Sequence, residues 1–467
     1  SLLAMLAFSA HFGFAMRQLD VTQAFLQSFL PSPNVFVRFP KGYDAPLGDD
    51  GRPQVARAIR GWYGLRDAPA AWDKLLSTFM VHACGFTRSK SDPSVYFKRD
   101  PKVCPTKRNP GAGLTIVAFF VDDALIVSWK KSVADAVVKA IGKRFPITDL
   151  GKPKYLVGAR ISDRLDNAGR RCISMDMQSY IAETLNELNM SDSNPTASPC
   201  STGSALEMHA KGEADRDEMD KKPVRSAIGR LMWIANAGRP DISAAVSAVA
   251  SAAHDPSPTC WMAIKRILRY LKGTADLKIE WRGPKDQEAP GTCPMVVFVD
   301  ASHGDADGAK SRSAVILTLA GAVFHWICRK QSCVARSSTV AEIFAVSDAF
   351  EELEYLHGFF SELGLNQDKY LVFNDNATAV TSAYKSTGKR TKTANIRYAQ
   401  CRDWIEGDRA VLRRIGGAEN PADALSKAVT PAVHLRHRLV YMGTTPGAVQ
   451  ELANQWGLST NHRTSNG

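Results

Sequence analysis

The chain has 467 residues, too many for one core, and implies two or three domains. Its 45% hydrophobic and 23% charged content is enough to bury real cores, which excludes a wholly disordered chain. A formal net charge of +12 suits a polyanionic partner such as nucleic acid, with a basic but inert surface as the plainer reading. Nine cysteines without a C-x-x-C pair read as reduced thiols rather than a zinc site or a disulfide framework.

The opening "SLLAMLAFSAHFGFAM" lacks a basic leader, and His11 interrupts it before spanning length. It predicts a buried helix, not a signal peptide or a membrane span. A start at Ser1 rather than Met is what a fragment would show. "MRQLDVTQAFLQSFL" puts Asp20 at the end of a short apolar strand. "VFVRFP" reads as strand and "APAAWDKLLSTFMVHACGF" as helix. Residues 99–113, rich in Pro, Gly and base, read as a loop.

"LTIVAFFV" and "ALIVSW" flank Val121-Asp122-Asp123 and predict a β-hairpin with the aspartates at or beside its tip. Turn chemistry alone explains one Asp. Two adjacent carboxylates repel, and a divalent cation removes the conflict, Mg²⁺ being a hard ion that takes oxygen ligands. If the Asp20 strand lies beside the hairpin, Asp20 meets Asp122 at one metal centre. Three such carboxylates can hold two metals ~4 Å apart for in-line phosphoryl transfer.

Further on, "MQSYIAETLNELNM" reads as helix and residues 190–222 as a polar linker. The stretch from "VRSAIGRLMWIANA" to "CWMAIKRILRYLKG" reads mostly as helix, and residues 282–294 as a second linker. Two strand runs follow, "MVVFVDAS" and "SAVILTLAGAVFHWI". A long amphipathic helix, "STVAEIFAVSDAFEELEYLHGFFSEL", precedes the strand "YLVFND". Interleaved helices and strands favour α/β or α+β domains. This last block carries four separated acids, Asp300, Glu342, Asp375 and Asp423. Asp300 and Asp375 are expected to end strands. Glu342 and Asp423 each have a structural use: Thr339-x-x-Glu342 fits a capping box, and Asn420-Pro421-x-Asp423 fits an N-cap, a Pro at N1 and an acid at N3.

"QLDVTQAFLQ", "IRGWYGLRDAPAAWDKLL", "FFVDDALIVS", "DLGKPKYLVGARI", "VRSAIGRLMWIANAGRPDISAAVSAVA" and "KRILRYLKGT" together resemble the reverse transcriptase of copia-type LTR retrotransposons. The resemblance runs in order to about Thr430. It implies an α/β and α+β multidomain fold: a right-hand polymerase palm, fingers and thumb, a helical connection, and a ribonuclease H-like mixed-sheet domain. The implied boundaries are palm and partial fingers at 1–165, thumb and connection at 166–290, ribonuclease H-like domain at 293–428, and a C-terminal tail at 429–467.

The implied function is an RNA-directed DNA polymerase with RNA–DNA hybrid ribonuclease H activity. Asp20, Asp122 and Asp123 would hold Mg²⁺ at the first site, and Asp300, Glu342, Asp375 and Asp423 at the second, with Mn²⁺ as a substitute. The implied partners are an RNA template, a DNA primer, an RNA–DNA hybrid and deoxynucleoside triphosphates, with no membrane. The implied location is intracellular, in a cytoplasmic particle or the nucleus. By position, Phe25 would lie under the incoming sugar, an ordinary core Phe being the alternative. Arg66 keeps the charge of the family's Lys-Gln pair, while Asp67 replaces its amide.

In "TKTANIRYAQ", Thr393 and Ala399 stand where the family has His, and Asn395 where it has Asp. Lys385, Lys389, Arg390, Lys392 and Arg397 are candidate phosphate contacts, or else a solvated loop. No D-[ST]-G protease stretch, zinc knuckle or integrase finger is present in the sequence. The family's fingertip strands would lie upstream of Ser1. Two other readings stand beside the first. One is a truncated or decayed, catalytically weak nucleic-acid-binding derivative. The other, a cellular ribonuclease H with an unrelated front half, is disfavoured because both halves match one element in order.

Overall fold

The structure, a computed structural model, describes residues 1–31, 34–201, 208–285, 290–384 and 392–444, without the side chains of residues 307 and 392–395. It divides into two compact units. The first holds Ser1, Phe14–Cys104 and Ala112–Pro153, and the second Leu2–Gly13, Pro105–Gly111 and the chain from Lys154 onward. Helix α1 (Leu2–Phe12) thus belongs to the second unit. It is apolar on nearly every face and buried from Ala4 to Phe12, as a core helix must be. The Phe8 ring lies 5.1 Å from that of Phe360. Burial pushes the His11 imidazole down to about 4, so it is neutral near pH 7.

In the first unit the strands are β1 (Ala15–Val21), β2 (Phe36–Val37), β3 (Ala56–Arg57), β4 (Thr87–Arg88), β5 (Val95–Arg99), β6 (Leu114–Phe120), β7 (Asp123–Ser128) and β8 (Ile147–Gly151). Six of them form one sheet in the order β4-β5-β6-β7-β1-β8, and β2 and β3 pair separately. Every adjacent pair in the larger sheet is antiparallel. Helices α2 (Ala68–Thr78) and α3 (Lys131–Arg144) cover it. Trp72 and Leu76 of α2 and Val137 and Ile141 of α3 close one core with Leu19, Val117, Phe119 and Ile126. Burying each such side chain contributes roughly 1.5–3 kcal/mol. β6 is buried up to Phe119 and β7 from Ala124 onward, which explains their continuous rather than alternating apolar runs.

The second unit opens with β9 (Tyr155–Leu156), β10 (Ala159–Leu165) and β11 (Arg171–Asp176), then α4 (Gln178–Glu187), α5 (Glu213–Asp220), α6 (Val224–Ala237), α7 (Ser243–Ser251) and α8 (Pro258–Gly273), and β12 (Lys278–Arg282). The four strands pair in the order β12-β11-β10-β9. The stretch 190–222, expected as a linker, therefore contains a helix. Glu213 and Asp215 favour its N-terminus, the Asp215 carboxylate accepts from the Lys211 N–H at 2.9 Å, and Met219 anchors it in the core.

Next come β13 (Val296–Ala306), β14 (Lys310–Leu319), β15 (Ala322–Lys330), α9 (Ser338–Leu363), β16 (Tyr370–Asn374), α10 (Ala377–Tyr384), α11 (Lys392–Glu406), β17 (Ala410–Arg414), α12 (Asp423–Ser426) and α13 (Pro431–Tyr441). Their five-stranded sheet has the order β15-β14-β13-β16-β17. β13 runs antiparallel to β14 and parallel to β16, and β17 is parallel to β16. The resemblance implies a mixed sheet here, and this sheet is mixed, with α9 packed across β13 and β14.

Among the described residues no helix is long and apolar enough to cross a membrane. A buried polar network ties the helices of this unit together. Arg239 and Asp241, both fully buried, form a two-pronged pair at 2.8 Å. Tyr270 donates to Asp241 at 2.6 Å, and Arg438 and His434 of α13 reach the Tyr270 hydroxyl at 2.9 and 3.1 Å.

Candidate metal centres

The first acid group forms at the turn between β6 and β7. Phe120 pairs with Asp123, so Val121 and Asp122 alone make the turn. Val121 carries φ +65°, the sign that two-residue hairpin turns require of their first residue. A β-branched side chain is costly there, so the turn is held from outside. The Trp72 indole N–H donates to the Val121 carbonyl at 2.8 Å, and the Val21 N–H donates to the Asp122 carbonyl at 2.8 Å. The second bond ties the end of β1 to the turn.

Asp20 of β1 is the register partner of Asp123, so the two side chains stand on one face of the sheet. Asp122 joins them from the turn. Burial, with the charges of Asp122 and Asp20, pushes the Asp123 carboxyl up, against a hydrogen bond from Gln18 Nε2 at 3.4 Å. Asp20, Asp122 and Asp123 are each half-buried. Their oxygens are more open than at the second site, where three carboxylates approach within 4.8 Å of one another.

The second group is built on the mixed sheet. Asp300 projects from the middle of β13, not its end as expected, because the strand continues to Ala306. Asp375 follows β16, which is parallel to β13 and brings it alongside. Glu342 comes from α9. The helix is capped by Ser337, whose Oγ accepts from the Val340 N–H at 3.3 Å, so the Thr339–Glu342 capping box is not formed. Glu342 turns inward instead, where Asn374 Nδ2 donates to its Oε2 at 2.8 Å.

Asp300, Glu342 and Asp375 each place a carboxylate oxygen within 4.8 Å of the others. Asp300 is 1% exposed and Glu342 6%. Burial raises all three carboxyls, and nearby charges add to it: Asp375 and Asp423 at Asp300, Asp300 and Asp375 at Glu342, and Asp423 at Asp375. Asp423 opens α12 rather than sitting at its third position, and pairs with Lys427 Nζ at 2.5 Å. The same ammonium is 3.9 Å from Asp300 Oδ2. Burial works against the Lys427 charge, but Asp300, Asp423 and Asp375 outweigh it and hold its pKa above the ordinary range. Ser426 Oγ donates to Asp300 Oδ2, and Asn420 Nδ2 donates to the Val299 carbonyl at 2.9 Å. A compact, oxygen-only, mutually repelling set fits a hard divalent cation.

Other expected site residues scatter. Phe25 is 8% exposed on a 3-10 turn, with its ring 4.8 Å from that of Tyr63. Arg66 is exposed just ahead of α2. Arg397 donates to Asp348 at 2.7 Å and to the Phe344 carbonyl at 3.1 Å, so its guanidinium is engaged within the unit. Lys385, Lys389 and Arg390 lie outside the described residues, as do the side chains of Lys392, Thr393 and Asn395.

Sequence reasoning missed Lys427, although Asp423 and Lys427 are four apart at a helix start, the spacing of an ion pair. It also missed Tyr63, whose hydroxyl is 3.5 Å from Asp122 Oδ2. Burial and the charges of Asp122 and Asp20 raise that phenol's pKa. Gly61 makes this approach feasible, because a Cβ there would fall 2.6 Å from the Phe25 carbonyl.

Residues 1–202 match the family "Reverse transcriptase (RNA-dependent DNA polymerase)". The Retrovirus-related Pol polyprotein from transposon TNT 1-94 of Nicotiana tabacum is 30% identical over 92% of this chain and 31% of its own length. That from transposon RE2 of Arabidopsis thaliana is 28% identical over 89% of this chain and 27% of its own length. The chain thus spans about a third or less of these relatives. A solved foamy viral protease–reverse transcriptase in complex with dsDNA is similar at a TM-score of 0.43 and 10% identity, over 89% of this chain and 70% of that one.

Proposed function

Because the chain belongs with the retrotransposon Pol polyproteins and carries a reverse transcriptase segment at residues 1–202, we propose that it acts as an RNA-directed DNA polymerase joined to a ribonuclease H that cuts the RNA of an RNA–DNA hybrid. The observation that carries this reading is the convergence of Asp300, Glu342 and Asp375 within 4.8 Å on the mixed sheet. Asp20, Asp122 and Asp123 would serve primer extension, and Asp300, Glu342, Asp375 and Asp423 hybrid cleavage. Each set would hold divalent ions, whose charge would activate an attacking oxygen and offset the leaving one.

The chain's own groups set the stage for that chemistry. Ser426 and Asn374 fix the rotamers of Asp300 and Glu342, so the oxygens face one another before any ion arrives. Lys427 meanwhile pairs with Oδ1 of Asp423 and offsets its charge. At the other site, the Trp72 and Val21 hydrogen bonds hold the turn that presents Asp122. The test is cleavage of a labelled hybrid in Mg²⁺. The wild type is expected to cut the RNA strand, and Asp300→Asn to cut it at least about 100-fold more slowly while remaining folded by circular dichroism. An intact Asp300→Asn variant that cleaves at the wild-type rate would refute the assignment.

A further inference from the structure

Gln18 is the odd member of β1. It is 4% exposed, among the buried apolar neighbours Met16, Leu19 and Val21. A buried amide costs stability unless its hydrogen bonds are made, and an apolar side chain in its place would avoid that cost. Strand alternation puts Gln18 on the face of Asp20. The register puts it diagonal to Asp123, since Asp20 pairs with Asp123 and Gln18 with Leu125. Its Nε2 donates to Asp123 Oδ1 at 3.4 Å. On the other edge of β1 the pairing with β8 slips at this residue. Gln18 faces Gly151 and Leu19 faces Asp149, so Leu150 is the extra residue of a bulge. Gly151 carries φ +72°, and Asp149 Oδ1 accepts from its N–H at 2.9 Å. Bulges re-aim side chains beside functional sites, and this one lies opposite the residue that carries the amide.

Tyr63 comes from the loop ahead of α2. It is 52% exposed, so its hydroxyl could have turned to water. Instead the hydroxyl lies 3.5 Å from Asp122 Oδ2, and the ring packs on Phe25 at 4.8 Å. The backbone around it is tied down. The Gly61 N–H donates to the Ser28 carbonyl at 2.9 Å, and Ser28 Oγ donates to the Phe25 carbonyl at 2.9 Å. The loop that carries the phenol is thus fastened to the turn that carries the Phe25 ring.

Each of two adjacent, mutually repelling carboxylates therefore has one donor beside it. Both contacts are long for hydrogen bonds, and both donors are uncharged. A fixed cation, such as the Lys427 ammonium beside Asp423, offsets the charge of its carboxylate. An amide or a phenol orients a carboxylate and leaves its charge for an ion. We propose that Gln18 and Tyr63 are positioning residues of the first acid group, Gln18 for Asp123 and Tyr63 for Asp122. Each engages one oxygen of its carboxylate, so that the other is presented to a divalent ion. The proposal rests on the polymerase reading above.

Gln18→Met keeps the length of the buried side chain and removes the donor, and Tyr63→Phe removes one exposed oxygen. The full chain and both variants are compared in primer extension, in hybrid cleavage and in Mn²⁺ binding by calorimetry. The heat that Asp123→Asn removes defines binding at the first group. Each variant should weaken that binding and lower the kcat of extension, both about tenfold, with the KM for deoxynucleoside triphosphate and the rate of hybrid cleavage within about twofold of the wild type. If the wild type extends primers and binds Mn²⁺ at the first group while both variants match it, the positioning role is refuted and the polymerase reading stands. If the wild type extends no primer and Asp123→Asn removes no heat, both fall. A raised KM at unchanged kcat and Mn²⁺ affinity would make the two side chains substrate contacts. Equal loss of hybrid cleavage would make them packing residues. Either result overturns the proposal.

Discussion

At the scale of single residues, both candidate centres are places where like charges meet at a cost. The raised carboxyls of Asp300, Glu342 and Asp375 have a thermodynamic consequence. The folded chain keeps protons that the unfolded chain releases. This contribution is therefore fully present below the unfolded carboxylate range, about pH 4, and is lost as pH rises through the raised folded values. In EDTA the unfolding midpoint should fall between pH 5 and pH 8, and Glu342→Gln should flatten that fall while abolishing cleavage. Saturating Mg²⁺ should remove most of the dependence in the wild type, since the ion takes over from the proton. Thermal unfolding at several pH values checks this. A Glu342→Gln profile as steep as the wild type's would mean that the acids do not share the shift.

At the scale of elements, the charged pair inside the helical part of the second unit makes the clearest case. Burial pushes the Asp241 carboxyl up, but the Arg239 charge and the hydrogen bonds from Arg239 and Tyr270 outweigh it and hold it down to about 2. Its stabilising contribution is present above the unfolded value near about 3.9 and is lost as pH falls toward 2. Arg239→Met leaves a buried carboxylate without its cation and should cost about 3–5 kcal/mol in denaturant unfolding. In the first unit, Gly61→Ala places a Cβ against the Phe25 carbonyl and must push the loop bearing Tyr63 away. Primer extension should then drop while hybrid cleavage holds. Equal loss of both activities would point to a general folding defect instead.

At the scale of the whole molecule, the two acid groups lie in separate compact units, Asp20, Asp122 and Asp123 in the first and the other four in the second. Their chemistries should be separable. Asp122→Asn is expected to abolish primer extension and leave hybrid cleavage within about twofold. Asp300→Asn is expected to do the reverse, with both variants folded by circular dichroism. Joint loss in either variant would contradict two independent sites.

Local pattern alone determined much of this protein. The continuous apolar runs around Asp122 and Asp123 fixed the hairpin, because a two-residue turn between buried strands has few alternatives. The unbroken apolar opening fixed α1 as a buried helix, and the ordered blocks fixed the family. Even so, a local signal alone left Glu342 with a helix-cap alternative, which fails because Ser337 caps the helix instead. Local pattern placed Asp300 at a strand end, since hydrophobic periodicity stops at the first acid while backbone pairing with β14 goes on. Only the tertiary structure brought Asp20 opposite Asp123, set β16 beside β13 so that Asp375 reaches Asp300, and put Lys427 among the acids. It alone assigned α1 to the second unit and assembled Arg239, Asp241, Tyr270 and His434. Apart from Arg239 with Asp241 and Asp423 with Lys427, these are contacts between residues tens to hundreds of positions apart. Strand order and the packing of distant helices decide them, and no local run of residues encodes either.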